Sequence, residues 1–314
     1  MEKQLVIVIG IPGSGKSHWA EGYAKAVNVL GGKNAVVVSS DEIRKELHGD
    51  VNDMKHNQET FNAMFGRTVT HLQNGAVTIF DATNLSKKKR IAFINNVKGK
   101  IGHDMDIFAV WLATPVDVCI ERDAKRERKV GENVIRMMYK SFTPPGMEEG
   151  YKAIAINAKG WRDNKYTIEH YLEIADKFDQ CNRHHTLTLG MHSRKASDYV
   201  AQQGGSEFLQ KVALLHDLGK LTTATHKNTK GEETEELHFY QHNCTGAYDI
   251  PFYLKNEAMD DVQIAYAANL VYYHMHPLNA WQESEKAKKR DMQLLDPNFV
   301  KDLMLLHEAD LYAH

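Results

Sequence analysis

The apolar run Leu5-Val6-Ile7-Val8-Ile9 leads into a glycine-rich turn and then, over 16–30, into a stretch with helical patterning. The strand pattern recurs at 34–39, around Val36-Val37-Val38, at 77–80, at 106–112 and in the short apolar stretch 153–156. Between these runs, residues 41–47, 57–73, 87–97, 116–128 and 133–142 read as helices. In the longest, Phe61, Met64, Phe65, Val69 and Leu72 fall near helical spacing. Alternation of this kind predicts a parallel sheet covered by helices on both faces. From about Tyr166 the strand pattern stops. Residues 210–215 and 262–273 are apolar and free of turn residues, as buried helices are, and the polar stretch 223–236 reads as an exposed loop. The pattern predicts an α/β domain over 1–160 followed by an all-α domain over 165–314.

With 314 residues, 42% of them hydrophobic, the chain has apolar mass for two cores. A formal net charge of −2 gives no global support for nucleic-acid binding, so any such site must be a local basic patch. Three widely spaced cysteines argue against a disulfide framework and fit a reducing cytosol, and no apolar run is long enough to span a bilayer. The N-terminal apolar segment lacks the basic flank and small-residue cleavage site of a signal peptide. A cytoplasmic protein without a membrane partner is expected. The 17 histidines are sparse before about residue 180 and crowded after it, which suggests a change of chemistry along the chain.

Gly10-Ile11-Pro12-Gly13-Ser14-Gly15-Lys16-Ser17 is a complete GxxxxGK[ST] phosphate-binding loop with a strand before it and a helix after it. Gly13, Ser14 and Gly15 let backbone N–H groups face phosphate oxygens. Lys16 can reach the β/γ-phosphates, and the Ser17 hydroxyl can hold Mg²⁺. ATP or another nucleoside triphosphate is the expected ligand. After the second strand, Asp41 can accept a proton from an attacking hydroxyl and Arg44 can hold a phosphate on the acceptor; from spacing alone they read equally well as a helix N-cap and a surface arginine. Asp81, Thr83 and Asn84 end the third strand, where they can orient the acceptor or a metal-bound water, or simply make a turn. Arg122 and Arg126, four apart on one predicted helix face, can close over a triphosphate as a lid; an isolated charge run would instead be a solvated face.

Together these residues resemble the 5′-hydroxyl polynucleotide kinase family of the bacteriophage T4 type, over roughly residues 4–142. The resemblance includes Arg122-Asp-Ala-Lys-Arg126 and the following Val134-Ile135-Arg136-Met137-Met138-Tyr139-Lys140-Ser141. It implies Asp41 as general base for a 5′-OH, Arg44 on the phosphate 3′ to it, Arg126 on the ATP γ-phosphate and Arg122 supporting the lid. The family's acceptors are RNA or DNA ends.

In the second half, His216-Asp217 interrupts an apolar segment, with His192 upstream and His242, His274 and Asp310 downstream. Imidazoles with carboxylates suit Mn²⁺, Fe²⁺, Co²⁺, Ni²⁺ or Zn²⁺, and a carboxylate can bridge two ions. The order resembles the HD-domain phosphohydrolase superfamily, H…HD…D, over about 181–314. This implies one or two transition-metal ions held by His192, His216, Asp217, His242, His274 and Asp310. Lys220 is placed to touch substrate phosphate, and His276 competes with His274 as a ligand. His184 and His185 stand either near the metals or in a structural role.

Two resemblances on one chain imply a bifunctional enzyme that heals both ends of a broken nucleic acid. It would phosphorylate a 5′-OH and remove a 2′,3′-cyclic, 2′- or 3′-phosphate. No Lys-x-Asp-Gly nucleotidyltransferase motif is present, so a separate polynucleotide ligase would act downstream. Known fusions of these two families carry the HD part first, the reverse of the order here. The alternatives are a small-molecule kinase fused to a nucleotide phosphohydrolase, or a regulatory ATPase with a metal-bearing sensor domain.

Overall fold

A computed structural model describes residues 3–31, 34–160, 163–182 and 186–314, with the Asn164 side chain left aside. His184 and His185 lie outside the described residues. The chain divides into two compact units. One comprises Met1–Arg136 with Pro145–Lys159; the other comprises Met137–Pro144 with Gly160–His314. Residues 137–144, within the segment read as the first domain, group with the second unit.

The first unit runs β1 (Gln4–Ile9), α1 (Lys16–Leu30), β2 (Ala35–Ser39), α2 (Ser40–His48), α3 (Asn57–Gln73), β3 (Val77–Asp81), α4 (Lys87–Ile101), β4 (Asp106–Ala113) and α5 (Val116–Ala124). Helix α6 (Glu132–Lys140) begins in it, and β5 (Ala153–Ala158) closes it. The five strands are parallel in the order β2-β3-β1-β4-β5. Val6, Val8, Val77, Ile79, Val110 and Leu112 pack with Ala20 and Ala24 of α1. Phe80 lies 4.1 Å from Phe93 of α4, which Phe65 of α3 meets edge-on. Strands buried on both faces carry the near-continuous apolar runs seen in the sequence.

The helix expected over 116–128 ends at Ala124. The Asp123 carboxylate accepts hydrogen bonds from Val130 N and Gly131 N, which folds the chain back and leaves Arg126 and Arg128 beyond the helix. Arg122 and Arg126 therefore do not share a helix face.

The second unit contains α7 (Ile168–Ala175), α8 (Leu189–Gln202), α9 (Glu207–Leu215), α10 (Lys220–Thr223), α11 (His242–Leu254), α12 (Asp261–Tyr273), α13 (Ala280–Glu283), α14 (Glu285–Leu294) and α15 (Pro297–Tyr312). Among the described residues its named elements are helical apart from an antiparallel ribbon, β6 (Thr225–Lys227) with β7 (Glu233–His238), where a loop was expected. Half-exposed alternation along β7 gave no apolar run to reveal it. Tyr139 and Phe142 meet the Tyr248 ring of α11 edge-on at 5.1 Å, which ties 137–144 to this unit.

A buried ion pair anchors the loop before β5. Arg90 donates to both carboxylate oxygens of Glu149 at 2.8 and 2.7 Å and to the Asn84 carbonyl at 2.9 Å. Gly146 N and Tyr151 Oη complete the coordination of Glu149. Glu149→Ala removes the bidentate carboxylate from a buried guanidinium, so the first unit should lose about 3–5 kcal/mol. Chemical denaturation checks this, and a loss below about 1 kcal/mol, the range of an exposed pair, contradicts it.

Candidate functional sites in the two units

In the first unit the phosphate loop connects the end of β1 to α1. Lys16 Nζ donates to the Ile11 carbonyl at 3.0 Å, and the Ser14 carbonyl accepts from Thr114 Oγ1 at 3.0 Å. Arg122 Nη1 reaches the Gly13 carbonyl at 3.3 Å, so this arginine lies against the loop. Register pairs Asp81 with both Val8 and Ser39. That brings the ends of β1, β2 and β3 to one edge. Burial raises the Asp81 carboxyl above its ordinary range, opposed by a hydrogen bond from Ser17 and by Lys16. Burial also lowers the Lys16 ammonium; Asp81 opposes this and Arg126 adds to it. Ser17 with Asp81 behind it is a suitable Mg²⁺ seat.

Helix α2 is capped by Ser39, whose hydroxyl accepts from Glu42 N. The N-cap alternative for Asp41 is thereby removed, and its half-exposed carboxylate is held by two arginines. Arg44 Nη1 approaches Oδ1 at 3.0 Å and Arg128 Nη1 approaches Oδ2 at 2.9 Å. Arg44 is buried and also donates to Asn57 Oδ1 at 2.9 Å. Arg128, which the sequence did not single out for this role, further donates to Asn52 Oδ1 at 2.8 Å. Asn84 departs from expectation. Its side-chain amide donates to the Val8 carbonyl at 2.7 Å and to the Ala82 carbonyl at 3.3 Å, so it braces the sheet edge instead of facing an acceptor. Thr83 joins the same brace through its carbonyl, which accepts from Gly10 N at 3.1 Å.

In the second unit, His192 on α8, Asp310 on α15 and His216-Asp217 after α9 meet in one buried cluster. His192 Nε2 lies 3.3 Å from Asp217 Oδ2 and 3.2 Å from Asp310 Oδ1, and His216 Nε2 lies 3.4 Å from each. The other oxygen of Asp217 faces His242 Nε2 at 3.2 Å and His274 Nε2 at 3.6 Å. Asp217 thus joins two ligand groups, one through each oxygen. His216 and Asp217 were expected inside a helix, but α9 stops at Leu215. In the turn that follows, a Cβ on Gly219 would stand 2.0 Å from the His242 carbonyl, so only glycine lets the turn lie on α11.

The residues fit a metal. His192, His216, His242 and His274 each direct Nδ1 at a backbone carbonyl, of Ala313, Ala213, Phe239 and Val271 respectively. An Nδ1–H bonded to a carbonyl leaves the Nε2 lone pair free, and all four Nε2 atoms point into the cluster. Two Nε2···Nε2 contacts of 3.2 Å are then adverse unless a cation or proton lies between them. His276 is elsewhere: its Nδ1 meets Asp291 at 3.0 Å, so His274 is the histidine of the cluster. Lys220 also departs from expectation. Its buried ammonium lies 2.7 Å from Asp217 Oδ2 and donates to Gln180 Oε1 at 2.8 Å, which positions Asp217 instead of awaiting a phosphate. His314, which the sequence did not flag, lies 3.6 Å from Asp310.

Burial pulls the His216 imidazole down, but Asp217 and Asp310 outweigh it and hold its pKa up to about 10. Burial alone would raise Asp217, yet Lys220 and His216 keep it well below the usual carboxylate range. The two carboxylates favour the protonated His216 imidazole in the metal-stripped protein, so a divalent ion bound there should displace a proton. Calorimetric titration of Mn²⁺ in buffers of different ionisation enthalpy should show net proton release. Heat independent of the buffer would contradict it.

A family model described as an AAA domain matches residues 5–145, and one described as an HD domain matches residues 182–310. The L-seryl-tRNA(Sec) kinase of Methanococcus maripaludis is 26% identical over 187 residues, covering 59% of this chain and 68% of the relative. Transcription factor bHLH140 of Arabidopsis thaliana is 25% identical over 240 residues, 74% of this chain but 23% of the relative, so the chain spans under a quarter of that protein's length. Among solved structures, the APS kinase CysC of Mycobacterium tuberculosis in complex with AMPPNP and APS matches at 25% identity and a TM-score of 0.34, over 40% of this chain and 70% of that one. A chain of the Pnkp1/Rnl/Hen1 complex matches at 24% identity and a TM-score of 0.32, over 38% of this chain and 39% of that one. Among the described residues no helix is long and apolar enough to cross a membrane. The chain carries an N-terminal P-loop kinase domain, a parallel sheet with flanking helices, and a C-terminal helical HD domain.

Proposed function

We propose that the chain heals both ends of a broken nucleic acid. Its first unit transfers the γ-phosphoryl group of ATP to a 5′-OH, and its second removes a 2′,3′-cyclic, 2′- or 3′-phosphate. The observation that carries the kinase half is the Asp41 carboxylate, held on both oxygens by Arg44 and Arg128 at the edge occupied by the phosphate loop. Asp41 also lies within electrostatic reach of Lys16 and Asp81. In the transfer, the acceptor oxygen bonds to the γ-phosphorus, the bond to the ADP oxygen breaks, and the hydroxyl proton passes to Asp41. Arg44 and Arg128 orient the carboxylate and offer charge to the acceptor's next phosphate. Lys16, Arg122 and Arg126 balance charge on the triphosphate, and Ser17 and Asp81 would hold Mg²⁺.

In the second unit His192, His216, Asp217 and Asp310 would hold one transition-metal ion, and Asp217, His242 and His274 a second. Such ions supply Lewis acidity to a phosphoryl oxygen and lower the pKa of water. The protein's own part is to fix the ligands: backbone carbonyls orient the imidazoles, and Lys220 holds Asp217. A transesterified RNA break carries a 5′-OH and a 2′,3′-cyclic phosphate, so one chain with both activities prepares both ends for a separate ligase.

The relative from Methanococcus maripaludis is named an L-seryl-tRNA(Sec) kinase, which favours a second reading in which the acceptor hydroxyl is not that of a polynucleotide 5′ end. Transfer of labelled phosphate to a 5′-OH oligonucleotide, compared with free nucleosides and 3′-mononucleotides, decides between them. No transfer to the oligonucleotide overturns the first reading. Asp41→Asn should bind ATP normally and lose about 10²–10⁴-fold in transfer rate. Near-normal turnover would remove Asp41 from the mechanism.

The metals should also separate the activities. Imidazole nitrogen suits Mn²⁺, Co²⁺ or Ni²⁺, whereas Mg²⁺ prefers oxygen. After metal stripping, phosphatase activity should return with Mn²⁺, Co²⁺ or Ni²⁺ and weakly with Mg²⁺, while kinase activity returns with Mg²⁺. Full phosphatase recovery in Mg²⁺ alone would contradict the histidine ligand set.

A further inference from the structure

Strand β5 ends at Ala158, and Lys159 N donates to the Ala113 carbonyl at 2.8 Å. The main chain of Lys159 is thereby tied to the end of β4, at the same edge of the sheet as the phosphate loop. Its ammonium reaches across to that loop. Lys159 Nζ lies 3.3 Å from the point where a Cβ on Gly15 would stand. Gly15 has φ +96° and forms the N-cap of α1, so this is where loop amides turn toward a bound phosphate.

The surroundings sharpen the assignment. Lys16, Arg122, Arg126 and Lys159 all act electrostatically on the Cys119 thiol, which lies behind the loop. Four cations therefore converge on one small region. Among the described residues, Lys159, Arg122 and Arg126 form no ion pair with a carboxylate. Like charges gathered this way repel one another, and the repulsion is relieved by a ligand with several negative charges. A surface lysine serving only solubility has no reason to bring its ammonium against a glycine of the loop.

We propose that Lys159 is a nucleotide-binding residue, its ammonium pairing with an oxygen of the triphosphate from the side of Gly15. The proposal rests on the kinase reading of the first unit and adds to it a cation from the fifth strand. It also accounts for glycine at position 15, where a side chain would intrude between the loop and the lysine in addition to straining the backbone.

The test is equilibrium binding of Mg²⁺–ATP to wild type, Lys159→Ala and Lys159→Arg, together with steady-state transfer to a 5′-OH oligonucleotide. Lys159 is partly exposed, so far-UV circular dichroism and the phosphatase activity serve as folding controls. Lys159→Ala should weaken ATP binding by about 10- to 100-fold, the scale of one charge-assisted hydrogen bond. Lys159→Arg should recover most of that loss, and the KM for the acceptor should stay put. The deficit should shrink as salt is raised, which a purely structural defect would not do. Lys159→Ala binding ATP within twofold of wild type, with its controls intact, overturns the proposal. A wild type that binds ATP but transfers phosphate to no acceptor overturns the kinase reading and leaves the binding comparison to decide Lys159. A wild type that binds no nucleotide overturns both.

Discussion

Parallel pairing of all five strands is the constraint on which the first unit depends. Because every strand runs the same way, each delivers its last residues to one edge: the phosphate loop from β1, Asp41 just after β2, Asp81 from β3, Thr114 after β4 and Lys159 after β5. An antiparallel strand of ordinary length would send its terminal polar group to the opposite edge, roughly 17–20 Å away. The cost of such a sheet is burial on both faces, which the continuous apolar runs of β1 and β3 meet. The brace built from Asn84, Arg90 and Glu149 then fixes the loop after β3, so that Asp81 stays beside Ser17.

The second unit solves a different problem, how to aim four imidazoles at one carboxylate. Its device is the helix end. His216 follows α9 and His274 follows α12, each donating Nδ1–H to the carbonyl three residues earlier. Those last-turn carbonyls have no intrahelical partner, so the imidazole satisfies an orphan acceptor and is itself oriented. His242, at the start of α11, makes the same i−3 bond to Phe239. Local backbone chemistry thereby chooses the tautomer in advance of any ion. Lys220 balances the negative charge that Asp217 brings into the interior.

Legibility in the sequence followed how local each signal was. The phosphate loop and the order H…HD…D are runs of residue types with fixed chemistry, and the structure brings the residues of each together. The alternation of strands and helices likewise shows in one-dimensional periodicity. What failed was register after a break. Arg126 looked helical because nothing in its spacing announces that the Asp123 carboxylate will fold the chain back. His276 and His274 were equivalent on paper; only packing against Asp291 separates them. Lys220 looked like a phosphate ligand because its burial beside Gln180 is a long-range fact. Lys159 carried no motif at all, and Arg128 showed only as the end of the 121–128 charge run, since their roles arise from which strand end or loop lies next to them. Position after the last strand of a parallel sheet was the one signal that would have flagged Lys159.

In the function proposed, two separate chemistries on one chain act on the two ends of the same break. A single RNA oligonucleotide bearing a 5′-OH and a 2′,3′-cyclic phosphate, incubated with the protein, ATP, Mg²⁺ and Mn²⁺ and followed by mass spectrometry, tests it most directly. Wild type should yield a 5′-phosphate and a free 3′-hydroxyl on the same molecule. Asp41→Asn should change only the 3′ end, and Asp217→Ala only the 5′ end. An oligonucleotide left intact at both ends by an enzyme that phosphorylates a small hydroxyl compound, or loss of both activities together in either folded variant, would contradict the account.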